Sequence, residues 1–282
     1  MQAAVCRARL VQFAPRLGAV EDNLRRHLEA AEAAASAGVD LVVFPELSLT
    51  GYYLRDLAVE LALTLDSPVL AELRAVSRRV HLVCGFVEET PSYDLHCTAA
   101  YLADGEIRHL HRKVYLPTYG MFDEGRYFAP GEALRTFPTP WGPAGLLVCE
   151  DLWLPSAPYV LSRHGLDLLI AVAASPLRGV EEGGLPIQQI YEQLLGTYAT
   201  LFQCHVLFCN RVGCEDGVTF WGGSRALSPA GGPPTVAPTL EECWVDVELR
   251  RSDLRQARLA TPLLSDEKLD LTLRELGRIA HG

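Results

Sequence analysis

The 282-residue sequence has no uncharged apolar run that approaches the roughly 18 residues a membrane-spanning helix needs. Its first residues, MQAAVCRARLVQFAP, also lack the apolar middle segment of a signal peptide. The eight cysteines are scattered through apolar segments, and a chain of this size folds without disulfide staples. These features together predict a cytoplasmic protein with reduced thiols and no membrane partner.

Clustered positive charge is missing too. The formal net charge is −10 at pH 7, and no basic patch offsets it, whereas nonspecific nucleic-acid binding depends on clustered Lys and Arg. Internal repeats and low-complexity segments are absent, and the Pro/Gly-rich stretch SPAGGPPTVAP is typical of a turn rather than of an interdomain linker. We therefore expect one large globular domain and no nucleic-acid partner.

Helix-like and strand-like segments alternate along this domain. A helix that ends at Gly38 is predicted by apolar residues at three- and four-residue spacing, namely Val20, Leu24, Leu28 and Ala31. Ser67-Pro68 is typical of the first residues of a second helix, and Asp104-Gly105 suits the tight turn of a hairpin. Continuous apolar runs such as VDLVVFPE and AGLLVCED are typical of strands covered on both faces. The pattern predicts an α/β domain over residues 1–250 with a mixed sheet system.

The last segment, residues 251–282, is charged and only weakly helical in pattern. We predict that this tail docks on a partner subunit.

Three predicted strands each deliver a reactive side chain at the carboxyl end. They are Glu46 in VVFPELSLTGY, Lys113 in HRKVYLP and Cys149 in LLVCEDLW. Ligand sites in α/β proteins gather at the carboxyl ends of strands. A carboxylate, an ammonium and a thiol that meet there are sufficient for acyl transfer.

The chemistry assigns a role to each of the three groups. A free thiol has a pKa of about 8.5 and is only a few per cent thiolate at neutral pH, so Glu46 would accept its proton and later return it to the departing amine. Lys113 would stay charged and donate to the oxyanion, together with the backbone N–H that follows Cys149. Each such donor contributes about 3 kcal/mol in other acyl-transfer enzymes.

Each residue taken alone also has an ordinary explanation. Cys149 can be an inert buried thiol, Glu46 a helix cap or surface carboxylate, and Lys113 a solvated lysine; their joint occurrence with their flanking residues favours a site. The remaining cysteines are predicted to be inert buried thiols: Cys6, Cys84, Cys97, Cys204, Cys209, Cys214 and Cys243. Cys204, Cys209 and Cys214 are spaced by five residues, unlike common zinc ligands. We predict neither a metal nor a cofactor.

Two further pairs of residues are assigned structural roles. His109 and His111 alternate along a predicted strand and share one face. A role near the site is open to them, but a role on the hairpin surface is favoured. Tyr52 and Tyr53 are predicted to pack rather than to act in chemistry.

Three segments resemble the nitrilase (carbon–nitrogen hydrolase) superfamily, namely FPELSLTGY, HRKVYLPTYGMFDEGRYFAPG and GLLVCEDLWLP. Within it they most resemble the glutaminase domain of glutamine-dependent NAD synthetases, from about residue 5 to residue 245. The resemblance implies the four-layer α-β-β-α sandwich, with two sheets face to face and helices outside. It also implies a homo-oligomer that associates through the helical layers.

The resemblance implies a role for each matching residue. Glu46 would be the general base, Lys113 the oxyanion stabiliser and Cys149 the nucleophile, while Glu124 in FDEGRYF would support the lysine and the substrate pose. The residues that fit a glutamine pocket are Tyr119, Glu150, Trp153, Ser175 in AASPLRG and, as its basic partner, Arg178.

Glu150 has a physical reason to face a glutamine. A buried carboxylate needs compensation, which the α-ammonium of this substrate would provide. A negative neighbour raises the pKa of a thiol, so Glu150 is not its activator. The alternative that Glu150 pairs only with an internal Arg or Lys stays open.

Two departures from the branch pattern affect the function. IAVAASP has no polar residue such as Asn upstream of its Ser-Pro element, which leaves the details of the pocket open. No SGGxDS-like phosphate loop of a synthetase domain occurs, and WGGSRALS instead resembles a late strand motif of the superfamily.

The sequence therefore predicts an amidohydrolase that releases ammonia from glutamine through a thioester at Cys149, with a separate ATP-dependent NAD synthetase as its candidate partner. The alternative is a stand-alone amidase for an ω-amide, an N-carbamoyl compound or a nitrile. A non-catalytic subunit that keeps the fold is a third reading, against which the intact Glu46, Lys113 and Cys149 argue.

Overall fold

Strands and helices alternate in the computed structural model, which describes residues 4–181 and 184–281. The strands are β1 (Val5–Gln12), β2 (Leu41–Val43), β3 (His81–Glu89), β4 (Leu95–Ala103), β5 (Glu106–Arg112), β6 (Thr136–Thr139), β7 (Gly142–Val148), β8 (Leu168–Ala173), β9 (His205–Asn210), β10 (Val212–Glu215), β11 (Val218–Trp221), β12 (Arg225–Leu227), β13 (Thr235–Val236) and β14 (Cys243–Arg250).

The helices are α1 (Val20–Ser36), α2 (Leu57–Leu61), α3 (Pro68–Val76), α4 (Ser156–Arg163), α5 (Pro186–Leu201), α6 (Arg251–Ala260), α7 (Leu263–Asp266) and α8 (Leu269–His281). Two 3₁₀ turns cover Glu124–Arg126 and Cys149–Trp153. Among the helices of the described residues, none combines the length and apolar character needed to cross a bilayer.

Local signals in the sequence explain where α1 ends and where α3 begins. Gly38 follows α1 with a positive φ of 75°, a conformation that glycine adopts without strain. The side chain of Ser67 accepts a hydrogen bond from the backbone N–H of Leu70, and Pro68 occupies the first turn of α3. The predicted end of α1 and the predicted start of α3 are therefore confirmed.

Most strands form two mixed sheets. The first has the order β14-β1-β2-β3-β4-β5, and the second has the order β13-β12-β9-β8-β7-β6. The predicted hairpin joins β4 to β5 through Asp104 and Gly105, both with positive φ. A second hairpin, β10–β11, was not predicted, although Asp216-Gly217 at its turn carries the same signal.

Alternation along β3 shows why the first sheet is covered on both faces. Leu82, Cys84 and Phe86 point to one face, where they pack with α1 and α3. Val83 and Val87 point to the other face and join the core that the second sheet shares. Both faces are buried, which accounts for the apolar character of this segment.

The second sheet has helices α4 and α5 on its outer side. All six residues of β8 are buried between the parallel neighbours β7 and β9. Gly145 of β7 allows α4 to lie close, because a Cβ there would come within 2.8 Å of a methyl carbon of Leu161. The layers are thus α1 and α3, the two sheets, and α4 and α5, and the predicted four-layer α-β-β-α sandwich is confirmed.

The first part of the tail contacts the sandwich. Leu254 of α6 is buried, and Arg258 Nη1 lies 2.7 Å from Asp167 Oδ1. Helix α8 has no buried residue and exposes Leu273, Leu276 and Ile279. Docking of the tail on a partner subunit, and the boundary at residue 250, stay predictions.

Candidate active site

Cys149 lies directly after β7, an inner strand of the second sheet, where the chain leaves the sheet. Its φ is +45°, in the left-handed region that residues other than glycine seldom adopt. The residue is buried and starts the 3₁₀ turn Cys149–Trp153. Strained backbone of this kind is frequent at functional sites. The strand before the turn is hydrogen-bonded to a neighbouring strand on each side. The turn therefore starts from a fixed position, and this sets the direction of the thiol.

Glu46, Lys113 and Glu124 form a buried ion cluster. Lys113 Nζ lies 2.8 Å from Glu46 Oε1 and 2.7 Å from Glu124 Oε1. All three side chains are almost fully excluded from solvent. A buried charge is tolerated only with good partners, and Lys113 has two carboxylates. These three predicted residues are therefore brought together.

The remaining contacts of Glu46 come from both sheets. Its Oε2 accepts a hydrogen bond of 2.7 Å from the backbone N–H of Ala174, directly after β8. The thiol of Cys97, in β4, donates to Oε1 at 3.6 Å. Cys97 was predicted only as an inert buried thiol, and its contact with Glu46 was missed. Burial, and next the charge of Glu46, hold the pKa of Cys97 well above its ordinary value.

Electrostatics at the cluster favour a protonated thiol and a charged lysine. Burial, and next the negative charge of Glu46, hold the pKa of Cys149 well above its ordinary value. For Lys113, burial alone would lower the pKa, but the combined charges of Glu124 and Glu46 outweigh it and raise the pKa well above its ordinary value. Cys149 therefore needs a base before it can act as a nucleophile, while Lys113 keeps its charge.

Glu124 differs from an ordinary carboxylate. Burial raises its pKa to about 7, with a further contribution from Glu46 and opposition from Lys113. The hydroxyl of Tyr52 donates to Glu124 Oε1 at 2.5 Å. Tyr52 packs against Phe220, as predicted, but the prediction missed this polar contact with the cluster.

Tyr119, Glu150 and Arg178 form a second group beside the cysteine, at the edge of the protein. The Tyr119 hydroxyl lies 3.0 Å from each carboxylate oxygen of Glu150. The guanidinium of Arg178 lies over the rings of Tyr119 and Phe122, at 5.6 and 4.9 Å from their centroids. Burial raises the pKa of Glu150. Within residues 4–181 and 184–281, Glu150 forms no ion pair, and its direct partner is the Tyr119 hydroxyl.

Ser175 and Trp153 form hydrogen bonds with aromatic residues outside the group of Tyr119, Glu150 and Arg178. Ser175 Oγ is buried and accepts a hydrogen bond of 3.1 Å from Trp221 Nε1. Trp153 Nε1 donates at 3.3 Å to the hydroxyl of Tyr191, in α5. The structure thus divides the predicted pocket residues into the group of Tyr119, Glu150 and Arg178 and a second pair, buried Ser175 and half-buried Trp153, of which Trp153 contacts Tyr191.

The prediction that His109 and His111 lie on the hairpin surface is wrong. Both point from β5 towards the second sheet, where His109 stacks on Phe137 with centroids 4.3 Å apart. His111 is buried, and its Nε2 lies 2.8 Å from Asp151 Oδ2. The alternation identified a shared face, but only the packing of the two sheets shows that this face is internal.

The prediction for Cys214 also fails, because this residue is exposed, while Cys204 and Cys209 are buried. Its position in the β10–β11 hairpin accounts for the difference, since this hairpin lies outside the two large sheets. Cys243 is partly buried.

A cleft of about 180 Å³ reaches the ion cluster from outside. Tyr52 and Glu124 are among its lining residues, as are Met121, Phe122 and Arg55. Its walls are formed by the loops after β2 and β5. This cleft gives a small molecule a way to approach Glu124.

The fold and the site described above match a known protein family. The chain belongs to the carbon–nitrogen hydrolase family, whose model matches residues 7–259. It is 34% identical over 261 residues to a glutamine-dependent NAD(+) synthetase of Thermotoga maritima, covering 91% of this chain and 44% of that protein. A glutamine-dependent NAD(+) synthetase of Acinetobacter baylyi is 31% identical over 233 residues, covering 83% of this chain and 42% of that protein. The chain thus spans less than half the length of these relatives.

Solved structures give the same family. A glutamine-dependent NAD+ synthetase from Acinetobacter baumannii has a TM-score of 0.78 at 28% identity, over 89% of this chain and 46% of that chain. A Nesterenkonia AN1 amidase from the nitrilase superfamily has a TM-score of 0.79 at 25% identity, over 95% and 96% of the two chains. The predicted resemblance to the nitrilase superfamily, and within it to the glutaminase domain of these synthetases, is confirmed.

Proposed function

We propose that the chain hydrolyses the side-chain amide of glutamine to glutamate and ammonia, through a thioester at Cys149. The chemistry is supported by the buried Glu46–Lys113–Glu124 cluster and by the strained cysteine beside it. The choice of substrate is supported by the carboxylate of Glu150, which directly follows Cys149 and, among residues 4–181 and 184–281, forms no ion pair and accepts a hydrogen bond from the Tyr119 hydroxyl.

The proposed reaction has two stages. In the first, Glu46 accepts the thiol proton, the sulfur attacks the amide carbon, and the oxyanion receives hydrogen bonds from Lys113 and from the backbone N–H of Glu150. The carbon–nitrogen bond then breaks, and the amine leaves as ammonia with the proton that Glu46 returns. In the second stage, water gives a proton to Glu46 and attacks the thioester carbon. The carbon–sulfur bond then breaks, and Glu46 passes the proton to the departing sulfur, so that glutamate and the thiol are released.

Glu150 is proposed to bind the α-ammonium of glutamine, together with Tyr119. Burial has already raised the pKa of Glu150, and a cation next to it would lower this pKa and offset the cost of burial. The curated relatives are named glutamine-dependent, which agrees with this substrate. Arg178 lies over Tyr119 and would meet the α-carboxylate.

Ammonia release from glutamine by the purified protein tests the proposal. Cys149→Ala should abolish it, whereas Cys214→Ala, which removes an exposed thiol outside the site, should keep it. Intact mass after a glutamine-like electrophile should show one added group that Cys149→Ala lacks. If the wild-type protein releases no ammonia from glutamine in any condition, the substrate assignment is wrong.

A second candidate is a simple amide, since the similar Nesterenkonia protein is named an amidase. The two are separated by Glu150→Gln. For glutamine, this change should raise KM by about tenfold or more, because a charge-assisted hydrogen bond contributes about 1.5–3 kcal/mol. For a simple aliphatic amide, KM should stay the same. Equal effects on both substrates would argue against an α-ammonium at Glu150.

The proposed partner is an ammonia-consuming NAD synthetase on a separate chain. The relatives that the chain matches are named for glutamine-dependent NAD(+) synthesis, and the proposal links the ammonia released at Cys149 to such a synthesis. Glutamine-supported NAD synthesis by the mixture of this chain and an ammonia-dependent synthetase tests it. If added ammonia supports synthesis and glutamine with this chain does not, this partner is excluded.

A further inference from the structure

Tyr191 is a buried tyrosine next to the thiol, and no predicted role accounts for it. Its hydroxyl oxygen lies 3.6 Å from Cys149 Sγ, within hydrogen-bonding distance for sulfur. The residue belongs to α5, and its side chain is 1% exposed. A helix residue thus reaches across the outer face of the second sheet to the reactive atom at its edge.

The direction of the hydrogen bond follows from the donors around the hydroxyl. Trp153 Nε1 lies 3.3 Å from the same oxygen, and an indole N–H can only donate. The tyrosine oxygen therefore accepts from Trp153, and its single proton is left for the sulfur of Cys149.

Ser175 supports the same direction of the hydrogen bond from Tyr191 to Cys149. Its oxygen accepts from Trp221 Nε1 at 3.1 Å, so its own proton is free to point away from that indole. Burial is the largest effect on Tyr191 and keeps its pKa well above its ordinary value. Ser175 acts in the opposite direction and lowers this pKa, as a hydrogen-bond donor to the tyrosine oxygen does. Tyr191 therefore keeps its proton and can serve as a donor throughout the reaction.

Aromatic packing fixes the ring of Tyr191 in place. Its centroid lies 4.8 Å from that of Phe208, 5.9 Å from that of Trp221 and 5.6 Å from that of Trp153. A ring held on several sides loses little entropy when its hydroxyl makes a bond. The donor is therefore preorganised, which is the condition under which a fixed dipole stabilises charge best.

We infer that Tyr191 is a further catalytic residue, whose hydroxyl donates a hydrogen bond to the sulfur of Cys149 and stabilises its thiolate. The inference rests on the proposed function for the nucleophile. When Cys149 loses its proton to Glu46, the bond from Tyr191 becomes charge-assisted and stronger. The same bond stabilises the sulfur again when it leaves the acyl carbon in the second stage. Tyr191 gives up no proton in either stage, so the balance of the reaction is unchanged.

Tyr191→Phe tests the inference, since it keeps the ring and removes only the hydroxyl. The measurement is the rate at which iodoacetamide alkylates Cys149 between pH 6 and 10, followed on the peptide that carries it because exposed Cys214 also reacts. Burial already holds the pKa of Cys149 well above its ordinary value, and we expect the variant to raise this midpoint by about one further pH unit, so that the measured range lies below it. Below the midpoint, the rate should fall about threefold, because a tenfold loss of thiolate is partly offset by a more nucleophilic sulfur.

Two further variants control the measurement. Tyr101→Phe also removes a buried hydroxyl, one that is bonded to His81, and it should leave the pH profile of Cys149 unchanged. Trp153→Phe removes the donor to Tyr191 and should shift the midpoint upward by a smaller amount. Thermal unfolding of each variant identifies any general loss of structure.

The outcomes separate this inference from the proposed function. Alkylation by iodoacetamide requires no substrate, so its rate reports on the contact between Tyr191 and Cys149 even when glutamine is not hydrolysed. Equal profiles for wild type and Tyr191→Phe would overturn the inference while leaving the glutaminase proposal intact. A faster alkylation of Cys149 in Tyr191→Phe than in wild type would also overturn it, because the hydroxyl would then not stabilise the thiolate.

Discussion

His111 Nε2 lies 2.8 Å from Asp151 Oδ2, and both side chains are fully buried between the two sheets. Asp151 Oδ1 also accepts 3.0 Å hydrogen bonds from the backbone N–H groups of Val114 and Tyr115, directly after Lys113. Oδ2 accepts another from the N–H of Val148, directly before Cys149. One carboxylate therefore joins the segment that carries the lysine to the segment that carries the cysteine, and it fixes their separation.

Asp151→Asn should loosen this connection. An amide has one accepting oxygen, and its NH₂ group would face N–H donors that then lack a partner. We expect a loss of about 2 kcal/mol or more in the free energy of unfolding, since each unsatisfied buried group costs about 1–3 kcal/mol. Amide hydrolysis should fall about 100-fold, as a misplacement of about 1 Å can cause. Urea unfolding and kcat measure the two effects.

The control is Asp94→Asn, at an exposed position between β3 and β4, where the free energy of unfolding should change by less than about 0.5 kcal/mol. His111→Gln is the conservative change, because its amide N–H can still donate to Asp151. Equal stability of Asp151→Asn and Asp94→Asn would show that the carboxylate does not connect the two segments.

The pKa of Glu124 predicts a pH dependence of stability. Burial, with Glu46, raises this pKa from 4.5 to about 7, against the effects of Lys113 and Tyr52. Between these values the folded protein binds the proton that the unfolded chain releases, so the free energy of unfolding falls as pH rises from about 4.5 to 7. The contribution is present in full below pH 4.5 and is lost above 7. Its size is on the order of 1–3 kcal/mol.

Glu124→Gln removes this titration. The slope of unfolding free energy against pH, measured by urea denaturation between pH 5 and 8, should be less negative in this variant than in wild type. Glu132→Gln, at an exposed carboxylate, should keep the wild-type slope. Parallel slopes in all three proteins would place the proton elsewhere in the cluster.

The features that sequence predicted are those that local pattern determines. The apolar runs of β2 and β7 mark buried strands, and the reactive residues Glu46 and Cys149 follow them within a few positions. Parallel strands in one sheet end at the same edge, which applies to Glu46 and Lys113 of the first sheet. Cys149 follows a strand of the second sheet, so its approach to them depends on how the two sheets pack. The two sheets then face each other because their strands are apolar on both sides.

The contacts that sequence missed join residues that are distant along the chain. His111 and Asp151 are 40 residues apart, and Cys149 and Tyr191 are 42 residues apart. The apolar spacing of α5 predicts that Tyr191 is buried, but it does not say which atom its hydroxyl meets. Those partners depend on how the two sheets and their helices stack, which no local pattern specifies.

Tyr119→Phe should weaken the binding of an α-amino substrate. Its hydroxyl donates to Glu150 at 3.0 Å, and without it the carboxylate turns more freely and is less well placed for an ammonium. We expect KM for glutamine to rise about threefold to tenfold, since one hydrogen bond to a charged group contributes about 1.5 kcal/mol at the lower end. The kcat value should change little, because Tyr119 has no contact with the ion cluster among the residues described.

Tyr93→Phe provides the matched control at an exposed tyrosine, and its KM should equal that of wild type. Saturation curves for glutamine and for a simple amide, measured with both variants, check the prediction. A fall in kcat with constant KM would move Tyr119 from substrate binding to the chemical step.

Helix α8 and helix α6 should differ sharply in what they contribute. The chain cut after residue 268 loses α8, which has no buried residue, so its free energy of unfolding should change by less than about 0.5 kcal/mol. The chain cut after residue 250 also loses buried Leu254, the Arg258–Asp167 ion pair and the two hydrogen bonds that Gln203 donates to Ala257 and Thr261. It should be less stable by several times that amount, by urea unfolding.

The same two truncations test the predicted docking of the tail. If α8 binds a partner subunit through Leu273, Leu276 and Ile279, the chain cut after residue 268 should have a smaller mass by light scattering than the full chain at equal concentration. Single changes of Leu273, Leu276 or Ile279 to Glu should reproduce the effect without loss of stability, since the side chains are exposed. An unchanged mass would assign the association, if there is one, to a surface of the sandwich, because the truncated chain keeps both sheets and α6.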